Sequence, residues 1–211
     1  MGAKGVFTKD NLLTQNEIDV LKKTELNFRE KLIVFGLMYT GMRVGEFLHM
    51  KKNWIDWEKA TIHIPPQQEC QCYECAKIKK PTKRNPYKQN NIWYPKTKAA
   101  IRVIPLMPKI FPVYDILKDY FSRHESIMET IKNRGEAWYL VNSAKRKAKI
   151  KHKLFPHAFR GTYATQLASA GLDAFHITAA LGWEDIDIAS AYIKLSGEQL
   201  KQAFEEKLKS F

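Results

Sequence analysis

The chain has 211 residues, enough for one domain with a sizeable core. Its 45% hydrophobic content marks a globular protein, and no run of about 18 apolar residues offers a membrane-spanning helix. Lys and Arg outnumber Asp and Glu by 13, which points to a polyanionic partner, nucleic acid ahead of a membrane surface.

Residues 1–10, MGAKGVFTKD, lack the apolar stretch of a signal peptide and read as a leader or an expression remnant. A first helix is expected over Asn11–Glu25, with Thr14 and Glu17 spaced as a capping box. A second follows over Phe28–Tyr39, with Phe28, Leu32, Phe35 and Tyr39 on one side. Thr40-Gly41 breaks it, and MRVGEFLHM resumes as a third helix with Arg43 and Glu46 one turn apart. Taken alone, that pair is a surface ion pair worth a few tenths of a kcal/mol.

The pattern then turns to strands over Ala60–Pro65, Ile92–Tyr94 and Ile101–Leu106. The last two frame Pro95–Ala100, which reads as a hairpin tip displaying Lys96 and Lys98. Residues 66–91 form a Cys- and Lys-rich insertion, long for a loop in a compact domain. Its cysteines Cys70, Cys72 and Cys75 fit a zinc site with a fourth ligand such as His63. No second CxxC follows, which leaves a disulfide or reduced thiols in a DNA-facing loop as alternatives.

Phe111–Thr130 reads as helix and Trp138–Val141 as a short extended piece. Lys145, Arg146, Lys147, Lys149, Lys151 and Lys153 make a dense basic run, ordinarily a solvated face. Placed beside a phosphate site, it reads as contact to the DNA backbone, which adds affinity without sequence information.

Pro156 opens the next helix, where a missing N–H is harmless. His157 and Arg160 share a face of it. Gly171 ends it, and Leu172–Leu181 is a second short helix closed by Gly182. Trp183 follows, and Asp185 or Asp187 caps a third helix carrying Tyr192. Residues 197–211 carry Leu200, Phe204 and Leu208 at helical spacing, an amphipathic helix for its own domain or a neighbouring protomer. A guanidinium fork, an imidazole, an indole N–H and a phenol together suit a phosphate. A phenol with a pKa of about 10 needs such a cationic site before it attacks.

The joint pattern is more specific. HAFRGTYAT, then LGW, then a tyrosine nine residues after the tryptophan resembles the C-terminal signature of the tyrosine recombinases, the phage-integrase family. That family reads H-x-L-R-H-T-x-A-T, then L-G-H, then the nucleophile. Phe159, Gly161 and Trp183 depart from it, and Trp183 keeps an N–H donor while losing a titratable group. TGMRVGEFLHMKKNWIDW resembles the first arginine box, T-G-L-R-x-x-E-L followed by a short strand. KTKAAIRVIPL resembles the lysine hairpin, K-T-x-x-x-x-R-x-x-P-L.

The resemblance implies a mainly helical α+β fold with a small antiparallel sheet, the catalytic domain spanning residues 11–196. It implies catalytic Arg43, Lys96, His157, Arg160, Trp183 and Tyr192, support from Glu46, and Lys98 as an alternative to Lys96. The implied reaction is cleavage and rejoining of DNA through a 3′-phosphotyrosyl link, with no metal or nucleotide required. Implied partners are double-stranded attachment sites and a homotetramer in the synapse, the free chain being a monomer inside the cell, in cytoplasm or nucleoid. A mobile-element integrase is the expected setting. The separate N-terminal clamping domain of such enzymes has no counterpart here, so a truncated or minimal version with weak, salt-sensitive DNA binding is expected. A type IB topoisomerase and a zinc-stabilised, non-catalytic DNA-binding module are the alternatives.

Overall fold

A computed structural model of the chain describes residues 11–77 and 89–197. The leader, the basic half of the insertion and the C-terminal amphipathic segment lie outside the described residues. Two reciprocal caps start the fold. Thr14 caps α1 (Gln15–Lys23) by accepting from the Glu17 amide, while the Glu17 carboxylate accepts from the Thr14 amide. Asn27 and Glu30 repeat the arrangement at α2 (Phe28–Thr40), so each helix has two of its orphan donors satisfied at its first turn.

Every residue of α2 from Leu32 to Thr40 is buried, which makes it the central helix rather than an amphipathic surface one. Gly36 lets a neighbour approach: a Cβ there would lie 2.3 Å from the Phe47 ring. Gly41 ends α2 in the left-handed region at φ +59°, and α3 (Val44–His49) begins soon after with Arg43 as its N-cap.

A three-stranded antiparallel sheet joins β1 (Ile55–Asp56), β2 (Thr61–His63) and a later strand, Val103–Pro105, with Ile62 opposite Ile104. A separate two-stranded ribbon pairs β3 (Gln68–Glu69) with β4 (Ile92–Trp93). Between β3 and β4 the described part of the insertion includes one short turn of helix, α4 (Tyr73–Ala76). The hairpin expected around Pro95–Ala100 is therefore wrong. The strand before it pairs with β3, and β5 (Val103–Pro105) pairs with β2, so the two flanking strands never meet. The intervening segment instead folds into a 3-10 turn at Lys98–Ala100.

Helix α5 (Val113–Phe121) is shorter than the expected Phe111–Thr130, which ends in a separate 3-10 turn at Ile127–Glu129. Trp138–Val141 is not extended either. It lies inside α6 (Arg134–Lys147), capped by Asn133, with Ala137, Leu140, Val141 and Ala144 buried at helical spacing. Trp138 and Tyr139, whose β-propensity favours a strand, are exposed on the opposite face.

The C-terminal part follows the sequence closely. Pro156 opens α7 (Pro156–Ser169), and Gly171 follows its end at φ +86°. Asp173 caps α8 (Ala174–Leu181), and left-handed Gly182 closes it. Asp185 caps α9 (Ile186–Ser196). Helices α7, α8 and α9 pack on one another around Tyr163, Ala164, Ile177, Leu181, Ala189 and Tyr192. Helix α2 packs against α5, α6 and α7, and so ties this cluster to the main core. Among the described residues no helix is long and apolar enough to cross a membrane.

Candidate active site

Three backbone carbonyls at the end of α8 organise the site. A helix leaves its last carbonyls without intrahelical donors, and the macrodipole makes that end partially negative. Here Ala180, Leu181 and Gly182 each receive a guanidinium. Arg102 Nε donates to Ala180 O at 2.8 Å, Arg160 Nη2 donates to Leu181 O, and Arg43 Nη2 donates to Gly182 O at 3.3 Å. Arg160 Nη1 also donates to Gly41 O at 2.6 Å, bridging the ends of α2 and α8.

Three like charges this close repel, and a single carboxylate offsets them. Glu46 Oε1 accepts from Arg43 Nη1 at 2.7 Å, and Oε2 accepts from the Arg43 amide at 2.9 Å and from Arg102 Nη2 at 3.1 Å. Burial by itself raises the Glu46 carboxyl, but Arg102, Arg43 and Arg160 outweigh it and hold it below its ordinary value. Arg43–Glu46 is thus no surface pair: the Glu46 side chain is 2% exposed.

Arg160 is the most enclosed cation of the three, 1% exposed. Burial, then Arg43 and Arg102, draw its pKa down to about 9, so it stays protonated at neutral pH. Its Nε has no hydrogen-bond partner among the described residues, a donor left over in a buried, cationic place. Its guanidinium carbon lies 5.6 Å from the centre of the Trp183 ring. Trp183 in turn stacks on Tyr192 at 5.4 Å between centroids, with 12° between planes.

Tyr192 is buried, and burial pushes its phenol well above the usual range, with Arg160 pulling the other way. The hydroxyl lies over Gly161: a Cβ added there would stand 3.0 Å from it. The glycine that replaces the signature's second histidine therefore makes room for the tyrosine.

His157 stands exposed on the first turn of α7. Desolvation around the ring, then the charges of Arg160, Arg43 and Lys96, hold its pKa below 6.5, so it is neutral at pH 7. Lys96 is exposed just after β4, near enough for its charge to reach His157. Lys98 is exposed on the 3-10 turn, whose backbone packs on Gly182 so closely that a Cβ there would lie 2.5 Å from Ala99 O.

The structure thus brings Arg43, Glu46, Lys96, His157, Arg160, Trp183 and Tyr192 to one place. The residue that sequence reading left out is Arg102, 9% exposed and engaged by Ala180, Ala100 and Glu46. Its signal was the arginine of KTKAAIRVIPL. Lys145, Arg146 and Lys147 form the last turn of α6, and Lys149, Lys151 and Lys153 are exposed beyond it. Lys147 is engaged, its Nζ 2.7 Å from Glu30 Oε2.

The cysteines form a second cluster. Cys70, Cys72 and Cys75 are thiols with no disulfide among them. Their sulfurs gather around His49, not the expected His63, whose Nε2 lies 3.0 Å from Thr61 Oγ1. The described part of the insertion is ordered rather than a loose loop, because β3 and β4 pair across its base.

The family model of the phage integrase family matches residues 11–199. The chain belongs to the phage integrase family. It is 26% identical to a XerC-like tyrosine recombinase of Caldanaerobacter subterraneus subsp. tengcongensis, covering 95% of this chain and 54% of that protein. Among solved structures it resembles the Tn1549 transposon integrase in complex with a circular intermediate DNA, with TM-score 0.67, 19% identity, and 96% of this chain and 67% of that one covered. A XerA recombinase crystal structure superposes with TM-score 0.64 at 18% identity, covering 93% of this chain and 64% of that one. The fold is therefore that of the recombinase catalytic region, mainly helical with small antiparallel sheets. The chain spans 54% and 60% of the length of two curated relatives, the second a XerA recombinase of Pyrococcus horikoshii.

Proposed function

We propose that this chain is the catalytic part of a site-specific DNA recombinase that cuts and rejoins DNA through Tyr192. The observation that carries the reading is the meeting of Arg43, Arg160 and the Leu181-Gly182-Trp183 corner, three distant segments, around one cationic site beside a buried tyrosine.

In this reading a phosphodiester enters with its non-bridging oxygens toward Arg43 and Arg160, whose fixed donors stabilise the charge of the five-coordinate transition state. The unshared Arg160 Nε and the Trp183 indole N–H supply further donors. Tyr192 Oη attacks phosphorus; the new O–P bond forms as the bond to the 5′-oxygen breaks. The phenolic proton passes to neutral His157, and Lys96 gives a proton to the leaving 5′-oxygen. One phosphoester replaces another, so rejoining by a 5′-hydroxyl reverses the step without external energy. Glu46 and Arg102 are positioning residues that hold Arg43. Lys96 is favoured over Lys98 because its charge reaches His157.

Double-stranded attachment sites are the proposed partner, with four protomers in the synapse and a monomer when free, as part of an intracellular mobile-element integrase. Lys149, Lys151 and Lys153 are the best placed of the basic run for phosphate contact, since they are exposed and precede α7. Residues 11–196 are taken as the catalytic domain, with 197–211 available to dock on a neighbour.

The test is a nicked suicide substrate that carries the attachment sequence and loses a short 5′-hydroxyl fragment on cleavage. Covalent protein–DNA adducts are expected with the native chain and absent with Tyr192→Phe. Adducts that persist in Tyr192→Phe, or never form with cognate DNA, contradict the reading. Relaxation of supercoiled plasmid without exchange between two sites would indicate a topoisomerase instead.

A further inference from the structure

We propose that His49, Cys70, Cys72 and Cys75 form a structural zinc site that clamps the β3–β4 ribbon onto the end of α3. The four ligand atoms, three Sγ and one imidazole nitrogen, all lie within 4.8 Å of one another. His49 Nε2 is 3.5 Å from Cys72 Sγ and 3.5 Å from Cys75 Sγ. A tetrahedron with Zn–S about 2.3 Å and Zn–N about 2.0–2.1 Å has an N···S edge of about 3.6 Å, so these ligands already stand near their bound spacing.

The imidazole is set for the task. His49 Nδ1 lies 2.7 Å from Gly45 O, so Nδ1 carries the proton and Nε2 turns its lone pair toward the sulfurs. A carbonyl behind a histidine is the arrangement that fixes tautomer and ring orientation at metal sites. The ring also stacks on Trp93 of β4, centroids 5.3 Å apart. His49 and Cys75 are buried and Cys70 and Cys72 half-buried, and four protein ligands together leave no open coordination position, as in structural zinc sites.

The backbone supports the same conclusion. Cys72 caps the single turn of α4 and Cys75 lies within it, and the Cys75 and Ala76 amides both donate to Cys72 O. Cys70 N donates to Asn91 O and Asn91 N donates to Cys75 O, so the two ends of the insertion are tied beside the ligands. Three thiolates and one neutral imidazole select zinc among common divalent ions; calcium and magnesium prefer oxygen. Binding would displace the thiol protons.

The consequence reaches the catalytic cluster from two sides. His49 is one turn beyond Glu46 on α3, and Lys96 follows closely on β4. A metal that fastens the insertion to α3 would hold β4 there too, through its pairing with β3 and the Asn91 backbone bonds, and so restrain the spacing between the Lys96 loop and the Arg43–Glu46 pair. The site itself does not depend on the recombinase reading, and metal content is measured apart from DNA cleavage.

The test is metal analysis of the full-length chain purified without chelators, with cobalt(II) substitution as the second readout. About one zinc per chain is expected. Cobalt should give the intense visible bands of a tetrahedral site with sulfur-to-metal charge transfer. His49→Ala should weaken binding by more than the roughly 10–100-fold that loss of an outer-shell partner causes, and Cys72→Ser likewise. His63→Ala should retain the metal. Chelation of the native chain should lower its melting temperature, a readout that survives if a variant fails to fold. A native chain that purifies without zinc and takes up no cobalt overturns the proposal, whether its cysteines titrate as thiols or as a disulfide. So does full zinc retention in His49→Ala.

Discussion

Replacing Glu46 by Gln removes the one anion among three guanidiniums while keeping the side chain's shape. The native carboxylate is 2% exposed and accepts from Arg43 and Arg102, whose side chains are 21% and 5% exposed. The substituted amide would present an NH2 to one of those donors and leave the repulsion among Arg43, Arg102 and Arg160 unopposed. Removing one partner of a buried pair costs about 3–5 kcal/mol. For a domain of this size that lowers the melting temperature by ~6–20 °C, at about 2–4 °C per kcal/mol. Calorimetry and urea unfolding of native and Glu46→Gln chains measure it. The pH dependence carries the same information. The native carboxyl titrates below its ordinary value of 4.5, so its contribution is present above that pH and is lost as pH falls through the depressed folded value. The variant should lack that portion of the acid-side slope. Inorganic phosphate should restore part of the lost stability by neutralising the uncompensated cations. A loss below about 1 kcal/mol, the value of a surface pair, would refute the account of a buried charge hub.

Gly161→Ala should lose roughly 1 kcal/mol or more, although alanine usually gains about that much in a helix. The reason is a Cβ 2.6 Å from Leu12 Cδ2 and 3.0 Å from the Tyr192 hydroxyl, and slower adduct formation should accompany the loss. Gly182→Ala should be worse, because its φ of +61° costs about 1–2 kcal/mol and its Cβ meets the fixed Ala99 carbonyl. A stabilised Gly161→Ala chain would contradict the placement of Tyr192. NMR titration should find His157 protonating below pH 6.5, and Arg43→Gln should move the midpoint upward by removing a nearby cation. A midpoint at or above 6.5 in the native chain would refute it. Changing Lys149, Lys151 and Lys153 to Gln should reduce the salt slope of DNA binding by ~0.9 for each phosphate no longer neutralised. Lys147→Gln should instead act on stability through Glu30, and an unchanged slope in the triple variant would show that these three lysines do not touch DNA.

Legibility followed locality. Thr14 with Glu17, Gly182 and Asp185 act through backbone a few residues away, so their spacing alone marks the helix ends. Arg43, Glu46, His157 and Arg160 were legible through motif spacing. Arg102 stood in the quoted lysine motif, but its importance comes from Glu46, 56 residues earlier, and Ala180, 78 residues later. His49 escaped for the same reason, since nothing local singles it out among six histidines as the partner of cysteines more than 20 residues on. The misplaced hairpin is a pairing error: β4 has the composition of a strand, but which edge it joins is decided by β3 across the insertion. The exposed pair Trp138 and Tyr139 suggested a strand, and the buried small residues around them carried the helical period instead.

Catalysis in this reading rests on a phenol placed where a row of fixed cations can receive a phosphate. Mass spectrometry of the peptide left on DNA after suicide cleavage and proteolysis tests this most directly. The expected result is a nucleotide joined through its 3′-phosphate to Tyr192, with the yield collapsing in Arg160→Ala. A link at any other residue, or through a 5′-phosphate, would contradict it.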